Sequence, residues 1–226
     1  MALRKEEITR KLLHLFALLM PAGIFYLPDE RLAEMMGFAV PYAVPVGILA
    51  FLFFGSVIVE QVRFRVPAVQ KIFYKCFGHM LRQEEDAKIT GSTYVIGAAL
   101  ICSLIFINHR HISMMALTLF ILGDAIAAVV GLSVGRIKIG KKSLEGSTAC
   151  FTLCMILFYA LFPHLPWVLD AWGGTVNVWI ALAAAFSITI FELIPLKITN
   201  KLVINDNLAV PVITGGIMLL MEGIIS

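Results

Sequence analysis

Ile112-Ser-Met-Met-Ala-Leu-Thr-Leu-Phe-Ile-Leu-Gly-Asp124-Ala-Ile-Ala-Ala-Val-Val-Gly-Leu-Ser-Val134 is the stretch that decides the fold. Its one charged residue is Asp124. A run this long and apolar reads as a membrane-spanning helix, which needs about 20 such residues. Six more segments read the same way: roughly Leu12–Leu27, Met36–Val59, Ile89–Ile107, Thr148–Leu169, Val176–Leu196 and Leu208–Ile225. The first is short and basic at its start. It carries Glu6 and Glu7 and lacks a small-residue cleavage site, so it reads as a span rather than a signal peptide. The whole chain of 226 residues agrees, at 60% hydrophobic, 15% charged and mean hydropathy +0.91. Soluble domains are about 45–50% apolar and 25% charged. That balance excludes disorder and a nucleic-acid-binding module.

Charge placement tests the seven spans. Of the eighteen Lys and Arg, sixteen fall in alternate connections, among them Arg4–Lys11, Arg63–Lys88 and Arg136–Lys142. The two others are Arg31 and Arg110. The positive-inside rule then predicts a cytoplasmic N-terminus and an outer C-terminus. With no linker or low-complexity tract, residues 1–226 are expected to form one transmembrane catalytic domain. The fold class expected is an all-α bundle of about seven helices. In the long connection, Val69, Ile72, Phe73, Cys76 and Phe77 repeat at helical spacing after Pro67, which predicts a helix lying on the membrane surface. Cys76, Cys102, Cys150 and Cys154 form no CxxC pair and read as reduced packing residues.

Polar residues inside the apolar runs are the functional candidates. A carboxylate at mid-span costs about 2.5–3.5 kcal/mol on insertion scales, so Asp124 must face the bundle or a wet cavity. Gly123, Ala127, Gly131 and Gly135 line up beside it at intervals of four. Such a stripe packs helices closely; next to Asp124 it is read as a surface for ligand approach. The following loop, Gly135-Arg-Ile-Lys-Ile-Gly140-Lys-Lys-Ser-Leu-Glu-Gly-Ser147, gathers cations, glycines and hydroxyls, the materials of an anion site. Lys142 stands where a Walker A loop needs Ser or Thr and no strand precedes the loop, so a P-loop fold is rejected. Glu7, Arg10, Lys11 and His14 share one helix face at the entry to the first span. Glu60 and Arg63 are expected to pair. Glu192 and Asp206-Asn207 sit at the inner ends of their spans, on the same side as Asp124. His109, Arg110 and His111 have no nearby Asp, Glu or Cys in sequence, and read as loop residues, as does His164; His79 reads as interfacial.

Four groups in order carry a resemblance: Glu7-x2-Arg10-Lys11-x2-His14, then Gly123-Asp124-Ala125-x-Ala127-x3-Gly131-x3-Gly135-Arg136, then Lys142-Ser143-x-Glu145-Gly146-Ser147, and lastly Asp206-Asn207-Leu208-x2-Pro211. Together they resemble the polyprenol kinase family, which includes dolichol kinase, phytol kinase and CTP-dependent diacylglycerol kinase. The resemblance implies transfer of a γ-phosphate, usually from CTP, to the hydroxyl of a membrane lipid alcohol, at a cytoplasmic site. CDP-diacylglycerol synthase shares the Gly-Asp and Lys-Ser-x-Glu-Gly elements. Its His-Gly-Gly tail and second Asp have no counterpart after Asp206, so the cytidylyltransferase is the alternative. A small transporter is a third reading, weakened by the lack of an internal repeat.

On the kinase reading, Mg²⁺ is expected on Asp124 and Asp206, since it takes a few carboxylates plus phosphate oxygens. Arg136, Lys141, Lys142, Ser143, Gly146, Ser147 and Asn207 are expected to hold the triphosphate, with Arg10, Lys11 and His14 completing the charge clamp. Glu145 is expected to orient a lysine. Asp206, Glu192 and Glu7 compete as the base, and Glu60 is a further candidate. The partners expected are CTP, a lipid alcohol and the bilayer, with no nucleic acid. The oligomeric state is left open.

Overall fold

The computed structural model describes residues 15–78, 88–140, 142–194, 197–199 and 202–225. Glu7, Arg10, Lys11, His14, His79 and Lys141 lie outside the described residues. Nine helices are described: α1 (Leu19–Tyr26), α2 (Glu30–Met36), α3 (Ala43–Arg65), α4 (Pro67–Phe77), α5 (Gly91–Ile105), α6 (Arg110–Ser133), α7 (Leu144–Ile156), α8 (Val178–Leu193) and α9 (Asp206–Ile225). A 3₁₀ turn, Phe16–Leu18, leads into α1. Two hairpins of very short strands add to the expected all-α fold: β1 (Lys138–Ile139) with β2 (Lys142–Ser143), and β3 (Lys197–Thr199) with β4 (Leu202–Val203).

Four helical stretches are long and apolar enough to cross a membrane: Ala43–Arg65, Arg110–Ser133, Leu144–His164 and Asp206–Ile225. The other three expected spans are shorter apolar helices, Phe16–Tyr26, Gly91–Ile105 and Val178–Leu193. Boundaries moved for local reasons. Asp29 caps α2 by accepting the Arg31 N–H, and left-handed Gly37 ends it, so Met36 closes a short helix instead of opening the second span. Ser143 caps α7, whose helix therefore begins at Leu144, ahead of the expected Thr148. That path leaves α geometry at Leu157, passing through a π turn and a 3₁₀ turn around Pro163. The helix of the long connection starts at Pro67 as expected.

Helix α6 is the axis of the molecule. Every residue from His111 to Ile121 is buried, and α6 packs on α1, α7 and α9. All-round burial explains its unbroken apolar character. Helices α3 and α9 instead present Phe51, Phe54, Ile58, Leu220 and Ile224 outward, largely exposed. An apolar surface of this extent marks a multi-pass membrane protein. All four cysteines are free; Cys102, Cys150 and Cys154 are buried packing residues, and Cys76 is exposed.

The connections sort to two ends. At one, Arg31 bridges Asp29 and Asp170 and lies over Trp167, and Arg110 reaches the Phe25 carbonyl. At the other lie Arg63, Lys88 and Lys142, with the starts of α5 and α9.

Candidate active site

The basic loop is built by a tight turn. Lys138 pairs with Ser143 and Ile139 with Lys142, leaving two residues to reverse the chain. Gly140 takes φ +61°, the left-handed geometry that such a hairpin turn demands. Glu145 reaches back from α7 to accept the backbone N–H groups of Arg136 (2.9 Å) and Ile137 (3.1 Å). Its described hydrogen bonds thus go to backbone amides, with Lys138 close enough to act on its charge. Lys138 Nζ donates to the Gly131 carbonyl at 3.1 Å and closes the end of α6.

The small-residue stripe is filled. A Cβ at Gly123 would sit 2.8 Å from Cys150 Sγ, and one at Gly131 2.9 Å from Ser143 Oγ. At Gly135 it would meet the Gly131 carbonyl at 2.3 Å, and at Gly146 the Ala127 carbonyl at 2.5 Å. The ligand-approach surface expected from the stripe is instead the close contact of α6 with α7. Ser143 Oγ accepts the Gly146 N–H, and Ser147 Oγ donates to the Ser143 carbonyl, so both hydroxyls are used in holding the start of α7. Gly135→Ala has no space to relax into because the obstacle is backbone. It should lower thermal stability by about 2–4 kcal/mol, read as a lower midpoint for detergent-solubilised protein.

This packing carries Lys142 inward, to the ends of α8 and α9. Its Nζ hydrogen-bonds Glu192 and donates to Asp206 Oδ2 at 3.2 Å. Asp124, on α6, acts on the same ammonium group. Burial alone would lower the Lys142 pKa; Glu192, Asp206 and Asp124 outweigh it and hold the group above its usual value. The geometry therefore gathers Asp124, Lys142, Glu192 and Asp206 from four segments. Arg136 lies exposed on the loop above them.

Asp206 opens α9, and Asn207 ties it to α5 by donating to the Gly91 carbonyl at 3.1 Å. Pro211 has no N–H for the Asn207 carbonyl four residues earlier, which frees a backbone oxygen from the helix ladder at this end. Beside it, Glu60 and Arg63 form the expected pair at 2.6 Å, both almost fully buried. Glu60 also accepts the Thr90 N–H and Arg63 donates to the Lys88 carbonyl. Glu60 therefore anchors the entry to α5, and its described contacts do not include Lys142.

Glu192 is the residue that sequence reasoning undervalued, as one candidate base among three. It is 3% exposed, and its Oε2 has no hydrogen-bond partner among the described residues. A buried carboxylate oxygen left so is costly unless a cation or proton completes it. Sequence alone hinted at this through a lone acid closing an apolar helix. His109 and His111 require a correction too. They open α6 and meet Glu222 from α9, an acid 111 residues away that no loop reading takes into account.

A comparison with known proteins adds to the geometry. The chain is 28% identical over 227 aligned residues to a protein named CTP-dependent diacylglycerol kinase 1 from Schizosaccharomyces pombe, covering 96% of this chain and 94% of that one. It is 32% identical over 148 residues to a probable chloroplastic phytol kinase of Triticum aestivum, covering 62% of this chain and 47% of that one. An uncharacterised protein of Methanocaldococcus jannaschii is 27% identical over 69% of each chain. No family model matches, and no solved structure matches. The resemblance to the polyprenol and lipid kinase family thus extends from four motifs to nearly the whole length of the chain.

Proposed function

We propose that this protein is a nucleoside-triphosphate-dependent lipid-alcohol kinase, with CTP as donor. One observation supports the reading above the others: a single lysine, Lys142, is held between Glu192 and Asp206 under a basic loop, with Asp124 acting on it from an apolar helix. Phosphoryl transfer asks a protein mainly for positioning and charge neutralisation. Three carboxylates around one ammonium leave net negative charge, which suits a divalent cation carried in with the nucleotide.

Asp124 and Asp206 are the residues that would hold Mg²⁺, which would supply charge neutralisation for the triphosphate oxygens; Glu192, whose Oε2 has no hydrogen-bond partner among the described residues, is left to take a proton. Lys142 already stands between two of them as a cation. Arriving phosphates draw it from the carboxylates to the transferring group. Arg136 and the loop amides add positive charge from the aqueous side. The lipid hydroxyl oxygen attacks the γ-phosphorus, the bond to the β-phosphate oxygen breaks, and CDP leaves. The hydroxyl proton passes to Glu192, at the Oε2 that has no hydrogen-bond partner among the described residues.

The acceptor arrives laterally. A groove of about 580 Å³ runs between α6 and α7, lined by Ile126, Val130, Thr148, Thr152 and Ile156, with Glu145 among its lining residues. A hydrocarbon tail lying there keeps its alcohol at headgroup level. On this reading seven helices cross the bilayer, the N-terminus and the active site face the cytoplasm, and residues 1–226 act as one catalytic domain.

Two measurements test the proposal. With γ-labelled CTP, Mg²⁺ and a panel of farnesol, geranylgeraniol, phytol, a long polyprenol and diacylglycerol, label should move into lipid and CDP should be released. ATP and GTP run alongside test the donor. A CDP-lipid formed from phosphatidate, with no labelled alcohol, would overturn the kinase in favour of a cytidylyltransferase. For orientation, single cysteines on a cysteine-free background replace Glu34 or Arg136. The first should react with an impermeant thiol reagent in intact cells, and the second only after the inner face is opened. The opposite pattern discards the topology.

A further inference from the structure

The end of the bundle away from Lys142 holds a second constellation. His109 Nδ1 lies 3.2 Å from Glu222 Oε2, and His111 Nε2 lies 3.2 Å from Glu222 Oε1. One ligand atom from each residue falls within 4.8 Å of the others, and among the described residues this is the one trio of metal-type side chains so gathered. Trp172 Nε1–H donates to Glu222 Oε1 at 3.2 Å, and its ring packs edge-on against His111 with centroids 5.6 Å apart. With Trp172, the trio joins the start of α6, the end of α9 and the loop before α8. From Asp206 to Glu222 is sixteen helical residues, about 24 Å, so the site is separate from the carboxylates around Lys142.

We propose that His109, His111 and Glu222 form a binding site for a zinc-class divalent cation. Two imidazoles and one carboxylate are a zinc donor set, and a water completes the tetrahedron. Bonds of about 2.0–2.1 Å place tetrahedral ligand atoms about 3.3 Å apart; each histidine already lies 3.2 Å from its own oxygen of Glu222, and the trio would close on a shared ion from within 4.8 Å. His109 is partly exposed, which gives the ion a way in, while His111 and Glu222 are nearly enclosed. Trp172 fixes the carboxylate as a hydrogen-bonded outer partner does in metal sites. Imidazole donors favour zinc over magnesium, which prefers oxygen. The bound ion staples α6 to α9 at the end opposite the catalytic groups. The competing account is a clasp of hydrogen bonds that holds no ion.

The test uses full-length protein with Cys76→Ser, stripped with chelator in detergent and titrated with Zn²⁺. The wild-type trio should give one saturable site, and saturating zinc should raise the unfolding midpoint by about 5–10 °C. A hundredfold excess of Mg²⁺ should not displace the zinc. His109→Ala, at the exposed member, should abolish both the site and the shift, as should Glu222→Gln. Trp172→Phe keeps an aromatic ring, though a smaller one, and removes the N–H, and should weaken zinc about 10–100-fold. Absence of a zinc-dependent shift in the wild-type trio would overturn the proposal and leave the hydrogen-bonded clasp. So would a shift that survives in His109→Ala. If Glu222→Gln fails to fold, His109→Ala still decides the matter.

Discussion

Asp124→Asn should lower phosphoryl transfer by on the order of 10²–10³-fold, about 3–4 kcal/mol in the barrier, while the protein still inserts and purifies. Asparagine has nearly the volume of aspartate, so the packing of α6 on α7 is unchanged. What disappears is one negative charge that acts on Lys142 from within an apolar helix. The change also relieves the insertion cost of a mid-span carboxylate, so thermal stability should hold or rise. That opposition, activity down and stability not down, distinguishes a functional acid from a structural one. Turnover near the parent level would remove Asp124 from the site. The assay should be run at saturating and at limiting Mg²⁺. A group that helps to hold the ion should show its largest defect where Mg²⁺ is scarce.

Lys142→Met should abolish transfer and also weaken the fold. The lysine is the cation that Glu192 and Asp206 share, and Glu192 is almost wholly buried. Removing one partner of a buried pair leaves an uncompensated charge, at a cost of about 3 kcal/mol. The midpoint should therefore fall together with activity. The double variant Lys142→Met/Glu192→Gln removes both charges. It should recover most of the lost stability while activity stays absent. A double variant as unstable as the single one would mean that Glu192 is not the group Lys142 neutralises. Lys142→Arg keeps the charge but not the compact ammonium, and should retain the fold with a large loss of rate. Because the three acids hold the Lys142 pKa above its usual value, it remains charged through the neutral range. Its titration should add no break to a pH–rate profile there.

Much of the architecture is local physics and was readable. Length and hydropathy placed seven apolar segments, and each corresponds to a helical stretch, four of them long enough to cross a bilayer. Pro67 started the surface helix, and Glu60 met Arg63 because three residues apart is one face of a helix. Asp124 was legible as an out-of-place charge in an apolar run, Lys142 as part of a basic glycine-rich loop, and Asp206 as an acid at the inner mouth of the last span. The glycine stripe was misread because spacing reveals that a backbone comes close, but not whose. Here the visitor is α7 and not a ligand. Ser143, expected beside the phosphates, also caps α7, a task that the sequence reading did not assign to it.

The sequence by itself determined a membrane protein of apolar helices, the ends at which its charge accumulates, and, as candidates, the four charged groups Asp124, Lys142, Glu192 and Asp206. Only the tertiary structure decided that Lys142 meets Glu192 and Asp206, 50 and 64 residues further along the chain. It alone decided that Glu222 descends between two histidines that the sequence leaves in a loop. The physical reason is range. Hydropathy, capping and helical period act over a few residues, so a linear reading captures them. The partner of a buried charge depends on how whole helices rotate and slide when they pack, and that is settled by side-chain volumes spread along the entire chain.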